Sequence, residues 1–75
     1  MDKPFSKADE AQIRQLYKAR WSGVWAGDLV SKESARMLVR EGYAENTGGS
    51  PSSLDRVYIS RRGLVVAQAW ENWSD

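Results

Sequence analysis

The order of helix-breaking and extended residues within residues 38–63 (LVREGYAENTGGSPSSLDRVYISRRG) most constrains the fold of this chain. Gly42 is suited to end a helix in the left-handed conformation, after which a short strand can leave. The Gly/Ser/Pro run at residues 48–53 cannot continue a strand. Val57 and Ile59 alternate with polar residues, as in a strand with one buried face. The sequence therefore predicts a β-hairpin held between two helices.

Three helices are predicted from cap residues and apolar spacing. Ser6, with Asp9 three residues later, forms a capping box for the first helix, which we expect to end at Ser22 and Gly23. Residues 24–30 are predicted as a strand or a turn. Ser31 and Ser60 are placed to cap the second and third helices, and Ser31 to Glu41 and Ser60 to Trp73 are their extents. The apolar positions are Ile13, Leu16, Tyr17 and Trp21 in the first helix, Ala35, Leu38 and Val39 in the second, and Val66, Ala69, Trp70 and Trp73 in the third.

The predicted fold class is α+β, with three helices and a small antiparallel β-sheet. A chain of 75 residues forms one domain at most. We assign that single domain to residues 6–75 and a flexible leader to residues 1–5.

Composition argues against catalysis. The chain contains no cysteine and no histidine, so the commonest nucleophile, general base and metal ligands are missing. The serines of the Ser6-Lys7 and Ser31-Lys32 pairs are better explained as helix caps than as nucleophiles. We expect no enzyme activity, no metal site and no cofactor. Without a signal peptide or an apolar run long enough for a membrane span, the expected location is the cytoplasm, with no membrane partner.

Charge is unevenly distributed along the chain. The net charge is only +1, yet residues 11–63 contain nine basic and five acidic side chains. Arg61 and Arg62 stand in the first turn of a helix, where the helix dipole disfavours cations. Such charge is either solvated surface or a modest basic face for nucleic acid.

The helix, glycine, strand, flexible loop, strand and the turn Ile59-Ser60-Arg61-Arg62-Gly63 resemble the second half of a winged-helix domain of the MarR-like regulators, over residues 38–70. The resemblance implies that residues 31–41 read the major groove and that residues 46–56 form a wing along the DNA backbone. It departs before residue 31, where a supporting helix is expected and residues 24–30 leave little room. The implied nucleic-acid-binding residues are Lys32, Arg36, Arg40, Ser52, Ser53, Arg56, Arg61 and Arg62.

The aromatic residues divide into two groups. We expect Trp21 and Trp25 to fill the core beneath the hairpin, an interpretation preferred over base stacking on single-stranded nucleic acid. Trp70 and Trp73 lie close to the end of the chain, where they either seal the core against the first helix or form a patch for a partner or a homodimer. Tyr58 is the best single candidate for a further surface contact.

Two functions from different classes follow. The first is a small DNA-binding protein of winged-helix type that binds double-stranded DNA and acts in transcription regulation. The second rests on the likeness of residues 27–45 (GDLVSKESARMLVREGYAE) to a strand, helix, strand module of small phage proteins. It is a protein that docks on a host transcription or defence protein, such as RNA polymerase or a nuclease, and modulates its activity.

Overall fold

The structure, a computed structural model, describes the backbone of residues 5–73 and the side chains of residues 5–70. The elements in chain order are α1 (Lys7–Lys18), β1 (Val24–Trp25), a 3₁₀ helix (Ala26–Asp28), α2 (Lys32–Arg40), β2 (Ala44–Asn46), β3 (Arg56–Ile59) and α3 (Arg61–Trp73). The predicted α+β class, with three helices and a small antiparallel sheet, is confirmed. No helix in the described part of the chain is long and apolar enough to cross a membrane.

The three strands form one antiparallel sheet in the order β1-β3-β2. Val24 lies opposite Val57, and Ala44 lies opposite Ile59. Val24, Ala44 and Val57 are buried against the helices. Side chains alternate across a strand, so the neighbours of these three residues in each strand point to the other face of the sheet. No helix of the described chain covers that face.

Local hydrogen bonds define the starts of the three helices as the sequence predicts. The Ser6 hydroxyl accepts from the Asp9 N–H (3.2 Å) and the Asp9 carboxylate accepts from the Ser6 N–H (3.0 Å). Ser31 caps α2 through the Ser34 N–H (3.1 Å), and Ser60 accepts from the Gly63 N–H (3.3 Å) at the start of α3. These three predicted caps are confirmed.

Gly42 ends α2 as expected, with φ at +85°. The Tyr43 N–H donates to the Leu38 carbonyl (2.8 Å) and the Gly42 N–H donates to the Val39 carbonyl (3.3 Å). This pair of bonds is the Schellman motif, which satisfies two carbonyls that the end of the helix leaves free. The chain therefore turns directly from α2 into β2.

One hydrophobic core lies between the three helices and the sheet. Its centre consists of Ile13, Leu16, Leu38 and Val57, each no more than 1% exposed. Phe5, which the sequence places in a loose leader, is 8% exposed and belongs to this core. Phe5, the one residue of the leader that the structure describes, is therefore part of the fold, and residues 1–4 lie outside the described residues.

The buried face of α3 differs from the predicted one. Ala67 is 2% exposed, whereas the predicted core residue Ala69 is exposed. Gly63 is also buried, and a Cβ there would collide with the Tyr43 carbonyl oxygen. Because glycine lets α3 approach β2 so closely, the helix is rotated toward Gly63 and Ala67.

The prediction that Trp21 and Trp25 fill the core is wrong. Trp21 is 83% exposed and Trp25 is 52% exposed. α1 ends at Lys18 rather than near Ser22, so Trp21 lies in the following turn, off the apolar stripe of the helix. Trp25 follows the buried Val24 in β1 and must point to the opposite face of the sheet.

Candidate nucleic-acid interface

The outward face of α2 carries the cations that the sequence singles out. Ser34, Ala35 and Leu38 are buried and direct one side of the helix into the core. Arg36 and Arg40 lie on the opposite side, with Lys32 beside them at the first turn. Among the residues that the structure describes, none of these three cations has a hydrogen-bond or ion-pair partner. Their charges are therefore free to pair with an external anion.

Arg62 connects the start of α3 to the end of α2. Its guanidinium donates to the Glu41 carbonyl (3.1 Å) and to the Tyr43 hydroxyl (3.2 Å), and it lies 4.4 Å from the centre of the Tyr43 ring. A cation at the carbonyl end of α2 is favoured by that helix's dipole, which offsets its unfavourable position in α3. Arg62 therefore lies at the end of α2, and its neighbour in sequence, Arg61, is exposed at the start of α3.

The predicted wing is an ordered loop organised by Asn46. The side-chain amide donates to the carbonyls of Ser50 (2.8 Å) and Ser53 (3.2 Å). The amide oxygen accepts from the N–H groups of Gly48 (3.2 Å) and Asp55 (3.0 Å). These four bonds, together with those of the Thr47 hydroxyl to Asp55 and Arg56, fix the path of the loop from its base.

Ser52 and Ser53 are exposed in this loop. At the tip of the loop, the Ser52 hydroxyl lies 2.9 Å from the Ser50 hydroxyl. Both predicted residues are therefore accessible at the end of the wing.

Arg56 lies apart from the other predicted cations. Its guanidinium lies 4.0 Å from the centre of the Trp25 ring and donates to the Tyr58 hydroxyl (3.1 Å). The structure thus places Arg56 and Tyr58 together on the uncovered face of the sheet.

Two glutamines of α1 hold the segment that leads into α2. The Gln12 side-chain oxygen accepts from the Ser31 N–H (2.7 Å). Gln15 accepts from the Val30 N–H (3.0 Å) and donates to the Asp28 carbonyl (2.7 Å). Gln12 and Gln15 are also bonded to each other (2.8 Å). They fix the segment ahead of α2, where the structure has a 3₁₀ helix (Ala26–Asp28) and not the supporting helix that the winged-helix resemblance implies. Neither glutamine is among the residues predicted from the sequence.

The residues proposed for a partner or dimer patch have different surroundings. Trp70 is half-buried, with its ring centre 5.7 Å from that of Phe5 and 5.5 Å from the Arg14 guanidinium. These contacts match the alternative in which Trp70 seals the core against α1. The side chain of Trp73 lies outside the described residues.

The uncovered sheet face and the turn after α1 form a second surface, which we name the aromatic face and define as Arg20, Trp21, Trp25, Arg56 and Tyr58. A cleft of about 540 Å³ lies between Arg20 and Tyr58. The two tryptophans of this surface are the ones predicted to fill the core. For Trp25, the adjacent Val24 is the sequence feature that indicates exposure, because only one of two neighbouring residues of a strand faces the core.

No protein-family model, curated protein or solved structure matches this chain. The described residues contain no group of three or more histidine, cysteine, aspartate or glutamate side chains placed to hold a metal ion. A function is therefore proposed from the geometry of the basic surface on α2.

Proposed function

We propose that this protein is a small winged-helix-type protein that binds double-stranded DNA and acts in transcription regulation in the cytoplasm. The single observation that supports the proposal most is the outward face of α2, where Lys32, Arg36 and Arg40 have no partner within the described chain. Arg61, exposed at the start of α3, adds a fourth cation that has no partner among the described residues. Such side chains pair readily with phosphates or with base edges in the major groove.

The order of elements supports a specific mode of binding. α2 would enter the major groove with Arg36 and Arg40 toward the DNA, and the loop after Asn46 would lie along the backbone. Exposed hydroxyls of Ser52 and Ser53 would add neutral phosphate contacts. Arg62, by holding the end of α2, would orient the helix rather than supply the main charge.

A fluorescence titration with labelled duplex at several salt concentrations tests this proposal. Four unpartnered cations neutralising four phosphates imply a slope of about −3.6 for log affinity against log salt. The double variant Arg36→Glu, Arg40→Glu should remain folded, because both residues lie outside the buried side of α2, and should lose duplex binding through repulsion and lost counterion release.

The matched control is the double variant Lys7→Glu, Lys18→Glu. It makes the same change in net charge on exposed residues of α1. We expect this control to retain a salt slope close to that of the parent. Equal losses in both double variants would mean that net charge rather than the face of α2 governs binding, which would contradict the proposal.

The alternative function is docking on a host protein such as RNA polymerase or a nuclease. The near-neutral charge of the whole chain and the short 3₁₀ turn in place of a supporting helix favour it. In that case the Arg36→Glu, Arg40→Glu variant would keep its affinity for a purified partner, and the parent would not bind duplex at low salt.

A further inference from the structure

The aromatic face is a surface that the duplex-binding proposal does not use. Trp21 exposes 83% of its area and Trp25 exposes 52%. Large exposed aromatic side chains on a small domain mark sites of interaction, because solvation of their apolar area is unfavourable. The arrangement of the neighbouring arginines indicates the kind of partner.

Both arginines of this face lie close to aromatic rings. The Arg56 guanidinium lies over the Trp25 ring at 4.0 Å and is further held by the Tyr58 hydroxyl. The Arg20 guanidinium lies 4.5 Å from the centre of the Tyr17 ring and 5.9 Å from that of Trp21. This face therefore combines two guanidinium groups with the exposed tryptophans Trp21 and Trp25.

Two further features concern hydrogen bonding at this face. Nε of Arg56 is buried and has no acceptor within the described part of the chain. Glu45, which lies opposite Tyr58 in the sheet, lines the cleft next to Arg20. The cleft therefore contains one carboxylate, Glu45, together with the cationic side chain of Arg20.

We propose that the aromatic face binds single-stranded nucleic acid. Unpaired bases would stack on the exposed rings of Trp21 and Trp25, and Arg20 and Arg56 would pair with the intervening phosphates. A base in the cleft would donate an exocyclic amine to the Glu45 carboxylate, as cytosine does to acidic side chains. A face that combines exposed rings with cations fits an unpaired strand, which offers both base faces and phosphates, whereas a duplex keeps its base faces stacked inside.

The experiment is a fluorescence anisotropy titration with a labelled mixed-sequence strand of about 12 nucleotides, free or annealed to its complement. Trp21→Ala and Trp25→Ala should each weaken binding of the free strand by about five-fold or more, since stacking on an aromatic ring contributes at least that much. Binding of the annealed duplex should be unchanged in both variants. Trp21 lies in open solvent, so its truncation should leave the fold intact.

Val65→Ala is the matched control, because Val65 is an apolar residue of α3 that is 60% exposed outside this face. It should bind the free strand as the parent does. The Arg36→Glu, Arg40→Glu variant should lose duplex binding while keeping most of its affinity for the free strand, so failure of this inference and failure of duplex binding can be told apart.

Two results would overturn the inference. One is a folded parent that does not bind the free strand at low salt, or tryptophan variants that bind it equally well. The other is a parent that dimerises in light scattering and becomes monomeric in Trp21→Ala without any oligonucleotide binding. That result would assign the aromatic face to a second copy of the chain.

Discussion

A single carboxylate, Asp9, links the start of α1 to α2. One of its oxygens accepts from the Ser6 N–H (3.0 Å) and the other accepts from the Ser34 hydroxyl (2.6 Å). Partial burial raises the pKa of Asp9, but the hydrogen bonds from Ser34 and Ser6 outweigh this effect and leave the pKa below its usual value. Folding therefore stabilises the ionised form of the Asp9 carboxylate relative to its protonated form.

This shift predicts a specific loss of stability in acid. A lowered folded-state pKa contributes stability that is complete above the unfolded value of about 3.9 and is lost as the pH falls through the folded value. Asp9→Asn should lower the free energy of unfolding at pH 7 by up to about 1 kcal/mol, because it weakens the hydrogen bonds from Ser34 and Ser6, and it should reduce the further loss between pH 5 and pH 2. Urea unfolding followed by circular dichroism at several pH values measures both effects.

The control for this prediction is Glu45→Gln, which neutralises an exposed carboxylate with no hydrogen-bond partner in the described structure. It should leave the acid dependence close to that of the parent. An Asp9→Asn variant with the parent's pH profile would show that the carboxylate's charge does not stabilise the fold.

At the scale of single residues, the helix caps were predictable from sequence and the environments of the tryptophans were not. The caps of Ser6, Ser31 and Ser60 depend on hydrogen bonds that span three residues, which are visible in the sequence. The exposure of Trp21 and Trp25 depends on where α1 ends and on which sheet face the helices cover. Both are set by tertiary packing, so the rule that large aromatics are buried failed here.

At the scale of elements, the sequence predicts the hairpin and its flanking helices but not how α2 is positioned. Gly42, the loop glycines and the alternation of Val57 and Ile59 are local features, and all three lie where the structure requires them. Gln12 and Gln15 bond to backbone groups more than ten residues away. Nothing in a helical pattern indicates such bonds, because a glutamine on a helix is ordinarily a surface residue.

Gln12→Met should therefore destabilise the protein and loosen the start of α2. Methionine has a similar volume and leaves the Ser31 N–H without its acceptor, at a cost of about 1 to 3 kcal/mol. Faster amide hydrogen exchange at Ser31, measured by NMR, should accompany the lower stability. Gln68→Met, on the exposed side of α3, is the control and should change neither quantity.

At the scale of the whole molecule, the core is closed at one end by residues far apart in the chain. Phe5 lies with its ring edge-on to Tyr43 (5.0 Å between ring centres) and to Trp70 (5.7 Å). It fills the space between α3 and the segment that enters β2. A domain of this size seldom gains more than about 3 to 5 kcal/mol from its core, so one such contact is a large fraction of its stability.

Phe5→Ala should consequently unfold much of the population at room temperature. Removing a buried phenylalanine costs about 3 kcal/mol or more, which is comparable with the total expected here. Thermal unfolding followed by circular dichroism measures the change. Phe5→Leu should recover most of the loss, whereas an alanine variant that melts as the parent does would show that the residue contributes little to the core.

The loop after β2 derives its shape from its base rather than from its tip. Asn46 supplies four hydrogen bonds to backbone groups of the loop, while the Ser50 hydroxyl at the tip makes two contacts, with the hydroxyl and the N–H of Ser52. The identity of the tip residues is therefore largely uncoupled from the fold. Foreign peptide sequence inserted between Ser50 and Ser53 would be displayed on an anchored stem, and the reach of the loop could lengthen or shorten during evolution without redesign of the core.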